Sequence, residues 1–280
     1  NRVFTKRELG EFIEQLVDLY GATPVSMLLD TFKALGFRYA SQSGITISKN
    51  DVVIPPEKAE ILAKYDAEVQ RAIPRMQRLG SRFVRIMSYK VRDAEDQMEA
   101  ERFRRLREVT RRFLDAGLQP VHENCMNYGG MSPAHAGRLL AEVPGLKWVF
   151  DTANPVFNQD WSKPAPRPQQ DPWEFWTAVR DQTVHIHIKD ARWVPAKKDA
   201  DYHWPGEGDG AVQRILTDAL ARGYDGALSI EPHMVAVFHD TGPQAAVAQE
   251  DALRANYVEY GRRLMRLVGQ IRAASTRSPD

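Results

Sequence analysis

Residues 183–191 read TVHIHIKDA, and the organisation of the whole chain follows from this stretch. It is short, β-branched and apolar, which predicts a strand. His185 and His187 are two residues apart, so they share one face of that strand. The same kind of segment recurs on either side. RFVRIMSY (82–89), LQPVHEN (118–124) and LKWVFDTAN (146–154) precede it, and GALSIEPHM (226–234) follows.

Helical patterns fill the gaps between these segments. DQMEAERFRRLREVTRRFLDAG is amphipathic and stops at Gly117. PAHAGRLLAEV begins with Pro133 behind the capping residue Ser132. Asp171 and Glu174 form a capping box for PWEFWTAVR. GAVQRILTDALARG forms another helix, and a long helix from about Gly242 to Ala273 closes the chain. Strand then helix, five times over, predicts an α/β fold with a parallel sheet. It matches the last five βα units of a (β/α)8 barrel. Closing the barrel needs about three more such units. Residues 1–80 do not read as βα units.

The first part of the chain has a different rhythm. Residues 5–20 have capping-box spacing from Thr5 to Glu8 and an apolar period at Phe12, Leu16 and Leu19, which predicts a helix ended by Gly21. Thr23-Pro24 opens a second helix that runs to Gly36. GITISKNDVVIPPEK alternates and ends in Pro55-Pro56, which predicts a short extended segment or hairpin. PEKAEILAKYDAEVQRAIPRMQRLG resumes as a helix, with a kink or interruption expected at Pro74.

Composition bounds the function classes. With 43% apolar and 27% charged residues and a formal net charge of +1, the 280 residues are ordinary for a globular chain. A nucleic-acid footprint over the whole chain would be strongly basic, so nucleic acid is not an expected partner. No apolar run approaches the roughly 18 residues that span a bilayer, so no membrane partner is expected. No charged region followed by an apolar one marks a signal peptide. Cys125 is the single cysteine, which excludes an internal disulfide and fits a reducing cytoplasm. The chain begins at Asn1, which reads as a fragment or a processed chain.

The chemistry gathers at the strand ends. Glu123 sits in VHEN, Asp151 in VFDTAN, His185 and His187 in VHIHIKD, and Glu231 in SIEPH. In a parallel barrel, catalytic groups come from the C-terminal ends of several strands. Glu, Asp, His and Glu form a set of hard and borderline ligands. They suit a divalent metal such as Mn²⁺, Mg²⁺, Co²⁺ or Zn²⁺, with positions left open for substrate oxygens. Each residue also has a plain alternative. Glu123 could be salt-bridged, although an unpaired Glu in an apolar strand is expensive to bury. Asp151 could close an Asx-turn, a lone buried His is usually a hydrogen-bonded core residue, and Glu231-Pro232-His233 could be a turn. Four such residues in order, one per strand, make the metal reading specific.

Two resemblances add to these readings. VHENC, FDTANP, HIHIKDA, PGEGDG and SIEPH, in this order, resemble the sugar phosphate isomerase/epimerase family with its xylose-isomerase-like TIM barrel, over about residues 69–268. The resemblance implies Glu123, Asp151, His187 and Glu231 as metal ligands, and it alone prefers His187 to His185. It implies Glu123 and Glu231 as an acid/base pair that abstracts a proton next to a carbonyl, through an enediolate. A small sugar or hydroxy-ketone is the implied substrate. Its oxygens would be bound by Lys189, His233 and His185, with Asn154 and Asn124 as polar support. Residues 1–68, through LGFRYASQSGITIS and DVVIPPEK, resemble the funnel segment of bacterial RNA polymerase β′ subunits. That resemblance implies a structural module, because no NADFDGD-like magnesium string occurs.

The expected organisation is therefore a mostly helical module at 1–68 and a TIM-barrel-like domain at 69–280 without its early strands. Two readings compete with the isomerase: a polyol dehydratase on the same scaffold, and a non-catalytic chimera. A metal-dependent apurinic endonuclease is disfavoured by the near-neutral charge. Open sheet edges imply pairing with the first module or with a second copy, hence a homo-oligomer. The stretches 161–172 and 193–210 read as long loops that serve either as lids or as plain insertions. PGEGDG lacks the ending of a phosphate-binding Walker loop, though its amides could hold an anion.

Overall fold

The computed structural model describes residues 6–42, 57–92, 96–233 and 243–275. The chain divides into two compact units, residues 1–65 and 66–280. In the first unit, α1 (Lys6–Tyr20) and α2 (Ala22–Gln42) pack on each other. The α2 helix runs past Gly36, where the sequence predicted its end. A single interior glycine costs only about 1 kcal/mol, and Phe37-Arg38-Tyr39-Ala40 carry the helix on. The extended segment expected at GITISKNDVVIPPEK falls almost wholly outside the described residues. The next helix, α3 (Glu57–Arg78), continues through Pro74. The proline removes one backbone bond, and good helix formers on both sides keep the helix going.

The second unit is a half-barrel of five parallel strands with helices around it. The strands are β1 (Phe83–Ile86), β2 (Gln119–Glu123), β3 (Lys147–Asp151), β4 (Thr183–Ile188) and β7 (Leu228–Ile230), in the spatial order β1-β2-β3-β4-β7. Between them run α4 (Glu99–Asp115), α5 (Pro133–Glu142), the short α6 (Asn154–Phe157), α7 (Pro172–Val179) and α8 (Val212–Ala221). The last element is α9 (Pro243–Ser275). The caps form where the sequence placed them. Ser132 Oγ accepts from His135 N at 3.2 Å, and Asp171 accepts from the backbone of Trp173 and Glu174.

Side-chain alternation along the strands sorts the sheet into two faces. Trp148, Phe150, Ile186 and Ile188 point outward and are buried against the helices. Phe150 meets Phe175 and Trp176, with ring centroids 6.0 and 5.3 Å away. The helices answer with matching stripes, such as Phe103, Leu106, Thr110 and Phe113 on α4. Val69, Ile73 and Met76 of α3 pack against the same core. Residues of the opposite parity, Arg85, Glu123, Asp151, His185, His187 and Ser229, face inward. The register sets Glu123 beside Val149, Asp151 beside His187, and His187 beside Ser229.

One expectation is corrected here. Residues 193–210 are not all loop. β5 (Asp190–Val194) and β6 (Asp199–His203) form an antiparallel hairpin directly after β4. The alternation of ARWV and DADYH is short and interrupted by Pro195 and two lysines, which hides it in a sequence reading. No helix of the described residues is long and apolar enough to cross a membrane.

Candidate metal centre

Three neighbouring strands carry ligands at or next to their C-terminal ends, and the fourth ligand follows β7. Glu123, Asp151 and His187 lie in β2, β3 and β4, and Glu231 directly follows β7, its N–H bonded to Ile188 O at 3.1 Å. One ligand atom from each lies within 4.8 Å of all the others. His185 shares the inward face, its ring perpendicular to that of His187 at 5.2 Å, but it bonds Ser229 Oγ and stays outside this cluster.

Each carboxylate is held differently. Glu123 Oε1 lies 2.9 Å from His187 Nδ1, and Oε2 pairs with Arg85. Burial works against the Glu123 carboxylate, yet His187 and Arg85 outweigh it and hold its pKa below the usual value. Asp151 is fully buried. Its Oδ1 accepts from the N–H groups of Ala153 and Asn154 at 2.9 and 2.7 Å. Its Oδ2 is ion-paired with Lys189 Nζ at 3.1 Å. Burial pushes the Asp151 carboxyl up to about 6, against the pull of Lys189. Asn124 fixes the Asp151 backbone through bonds to its N–H and C=O at 2.8 and 2.9 Å.

Lys189 lies between the acids, 3.5 Å from Glu231 Oε2, and donates to Asn154 Oδ1 at 3.1 Å. His233 bonds Glu231 Oε1 at 3.1 Å and stacks on Tyr202. Burial opposes the Glu231 charge, but Lys189 and His233 bring its pKa below the usual value. Burial also opposes a charge on His187, and Glu123 more than restores it, so the imidazole is more basic than usual. Lys189, Asn154, His233 and His185 thus all surround the four-residue cluster.

Three carboxylates and an imidazole, with ligand atoms within 4.8 Å of one another, fit a hard or borderline dication. No disulfide or thiolate competes for it. Burial, then the nearby Glu123 charge, raises the Cys125 thiol to about 11, which leaves it a packed, unreactive residue.

Two features escape the sequence reading. Arg85 sits among the apolar residues of the strand RFVRIMSY, and a charge in that setting was the available signal. Asp190 is the other. Its carboxylate accepts from Ala191, Gly206, Gly208 and Gly210 N–H at 2.9, 2.8, 3.0 and 2.9 Å. The PGEGDG amides therefore do hold an anion, but it is a side chain of this chain. Glycines at every second position were the available signal.

Comparison with known proteins agrees with this architecture. The family model of the xylose isomerase-like TIM barrel matches residues 9–256, and the chain belongs to that family. Among solved structures, a xylose isomerase domain protein from Planctomyces limnophilus is 19% identical with a TM-score of 0.51, covering 73% of this chain and 68% of that one. The IOLI protein with a bound zinc atom is 16% identical with a TM-score of 0.51, covering 78% of this chain and 73% of that one. The chain is also similar to DNA-directed RNA polymerase subunit β′. The Staphylococcus epidermidis subunit is 30% identical over 150 residues, 50% of this chain. The Rubrobacter xylanophilus subunit is 44% identical over 70 residues, 25% of this chain. The chain spans 12% and 5% of the length of those two subunits.

Proposed function

We propose that the half-barrel unit is a divalent-metal-dependent isomerase or epimerase of a small sugar or hydroxy-ketone. The observation that carries this is the four-residue cluster, with one ligand atom from each residue within 4.8 Å of the others. Glu123, Asp151, His187 and Glu231 would hold the metal, and the zinc atom bound to the IOLI protein supports a metal on this fold. A bound dication would supply Lewis-acid polarisation of a carbonyl and its neighbouring hydroxyl.

The remaining steps belong to the protein. Glu123 and Glu231 reach the site from different strands, and both are held ionised by their neighbours, as a base requires. One removes the proton next to the carbonyl to give an enediolate, and one returns it. Lys189 places a positive charge beside the oxygens on which negative charge develops. Asn154 aims the Lys189 ammonium, and His233 orients Glu231. His185, fixed by Ser229, lines the inward face next to His187.

The test is isotope exchange. The metal-loaded protein is incubated in D₂O with a panel of ketopentoses, ketohexoses and their phosphates, and the products are read by mass spectrometry. Deuterium next to the carbonyl, lost in Glu123→Gln and in Glu231→Gln, is the expected result. A metal-loaded wild type that exchanges no proton with any keto sugar overturns the proposal.

A further inference from the structure

We propose that Arg85 is a positioning residue: it reserves one Glu123 oxygen, so that Glu123 meets a bound cation with the other oxygen alone. This rests on the metal reading above. Arg85 comes from β1, beside the ligand strand β2, and faces inward at the same parity as the ligands. Its guanidinium pairs with Glu123 Oε2, while Oε1 points to His187. The two oxygens of one carboxylate are thus assigned to different partners. A carboxylate is free to bind a dication through one oxygen or both. The Arg85 guanidinium, bonded to one of them through Nη1, competes with a cation for that oxygen.

The arrangement has a chemical consequence. Holding Oε2 on Arg85 keeps the ligand count low and leaves a coordination position open for a substrate oxygen. Glu123 is almost wholly buried, whereas the Arg85 side chain is 56% exposed. Its outer N–H groups therefore face solvent, and replacing it removes little packing.

The assignment gives an unusual sign. Losing a residue that merely supports the fold weakens metal binding. Losing Arg85 should strengthen it, because a cation that repels the dication is gone and a second oxygen is released. The experiment titrates Co²⁺ into wild type, Arg85→Met and Arg85→Lys by calorimetry, and records the visible Co²⁺ spectrum, which weakens as coordination number rises. Arg85→Met is expected to bind about tenfold tighter, the scale of removing one unit charge a few ångströms from a dication in a half-exposed site. Its visible band is expected to weaken. Arg85→Lys keeps the charge and is expected within about threefold of wild type. If Arg85→Met does not fold by circular dichroism, Arg85→Gln carries the same expectation. A folded Arg85→Met or Arg85→Gln that binds Co²⁺ equally or more weakly, with an unchanged spectrum, overturns the assignment. A folded wild type that takes up no Co²⁺ overturns the metal reading itself and the assignment with it, and is read separately from the variants.

Discussion

Replacing Asp190 with alanine removes the acceptor for four backbone N–H groups at once. Two of them, on Ala191 and Gly210, are buried, and those of Gly206 and Gly208 are partly buried. Leaving a buried donor unmade costs about 1–3 kcal/mol. The two buried donors therefore put the loss near 4 kcal/mol, with the partly buried pair finding water. For a unit of this size that lowers Tm by roughly 8–16 °C. The mechanism can be separated from a general loss of packing by a double-mutant cycle. A Cβ on Gly210 would lie 2.7 Å from Asp190 Oδ1 and 3.1 Å from Thr152 O. Gly210→Ala should therefore be damaging in wild type and much milder once Asp190 is gone, a coupling of about 1–2 kcal/mol. Gly208→Ala is the control. Its Cβ also meets the Ala191 carbonyl oxygen at 2.6 Å, so it stays costly in both backgrounds. Urea unfolding followed by tryptophan fluorescence measures all of these. An Asp190→Ala loss below about 1 kcal/mol, or an additive cycle with Gly210→Ala, would refute the reasoning.

Three further outcomes are expected. Phe150→Ala empties a fully buried site between Phe175 and Trp176 and should cost about 3–5 kcal/mol in urea unfolding; a cost under about 1 kcal/mol would contradict the packing described. Burial holds the His122 imidazole at about 3. As pH falls below about 6.5 the unfolded chain takes up a proton that the folded chain refuses, so stability drops toward acid, by about 2 kcal/mol between pH 7 and 5. His122→Gln should flatten that part of the profile, and an unchanged slope would count against it. The Cys125 thiol, raised to about 11, should react with iodoacetamide near pH 8 about a hundredfold more slowly in the folded protein than after unfolding, with equal rates as the contrary result.

Much of the site is written in the strands themselves. A β-strand ties side-chain direction to residue parity. The spacing of His185 and His187 therefore gives them one face, and the place of Glu123 and Asp151 at strand ends puts them at the same end of the sheet. What parity does not give is the partner across a turn. His185 and His187 share a face, but only the neighbouring strand shows that Ser229 takes His185 while Glu123 takes His187. Asp190 was equally hidden, because its four donors lie up to twenty residues away in a loop without periodicity. The hairpin β5–β6 was missed because the apolar face it buries, chiefly Ala191 and Ala200 with Trp193 packed beside them, is too small to stand out as a strand pattern. Helix ends were legible at Ser132 and Asp171, where a side chain caps the backbone. They were not legible at Gly36, where a weak local preference was overridden.

The central claim is that Glu123, Asp151, His187 and Glu231 form one metal site. The most direct test is metal content by mass spectrometry after loading with Mn²⁺ or Co²⁺ and dialysis, on wild type and Glu231→Gln, with folding checked in parallel. The account predicts about one metal retained per wild-type chain and a marked loss in the variant. A folded wild type that retains none, or a variant that retains as much as wild type, would contradict it.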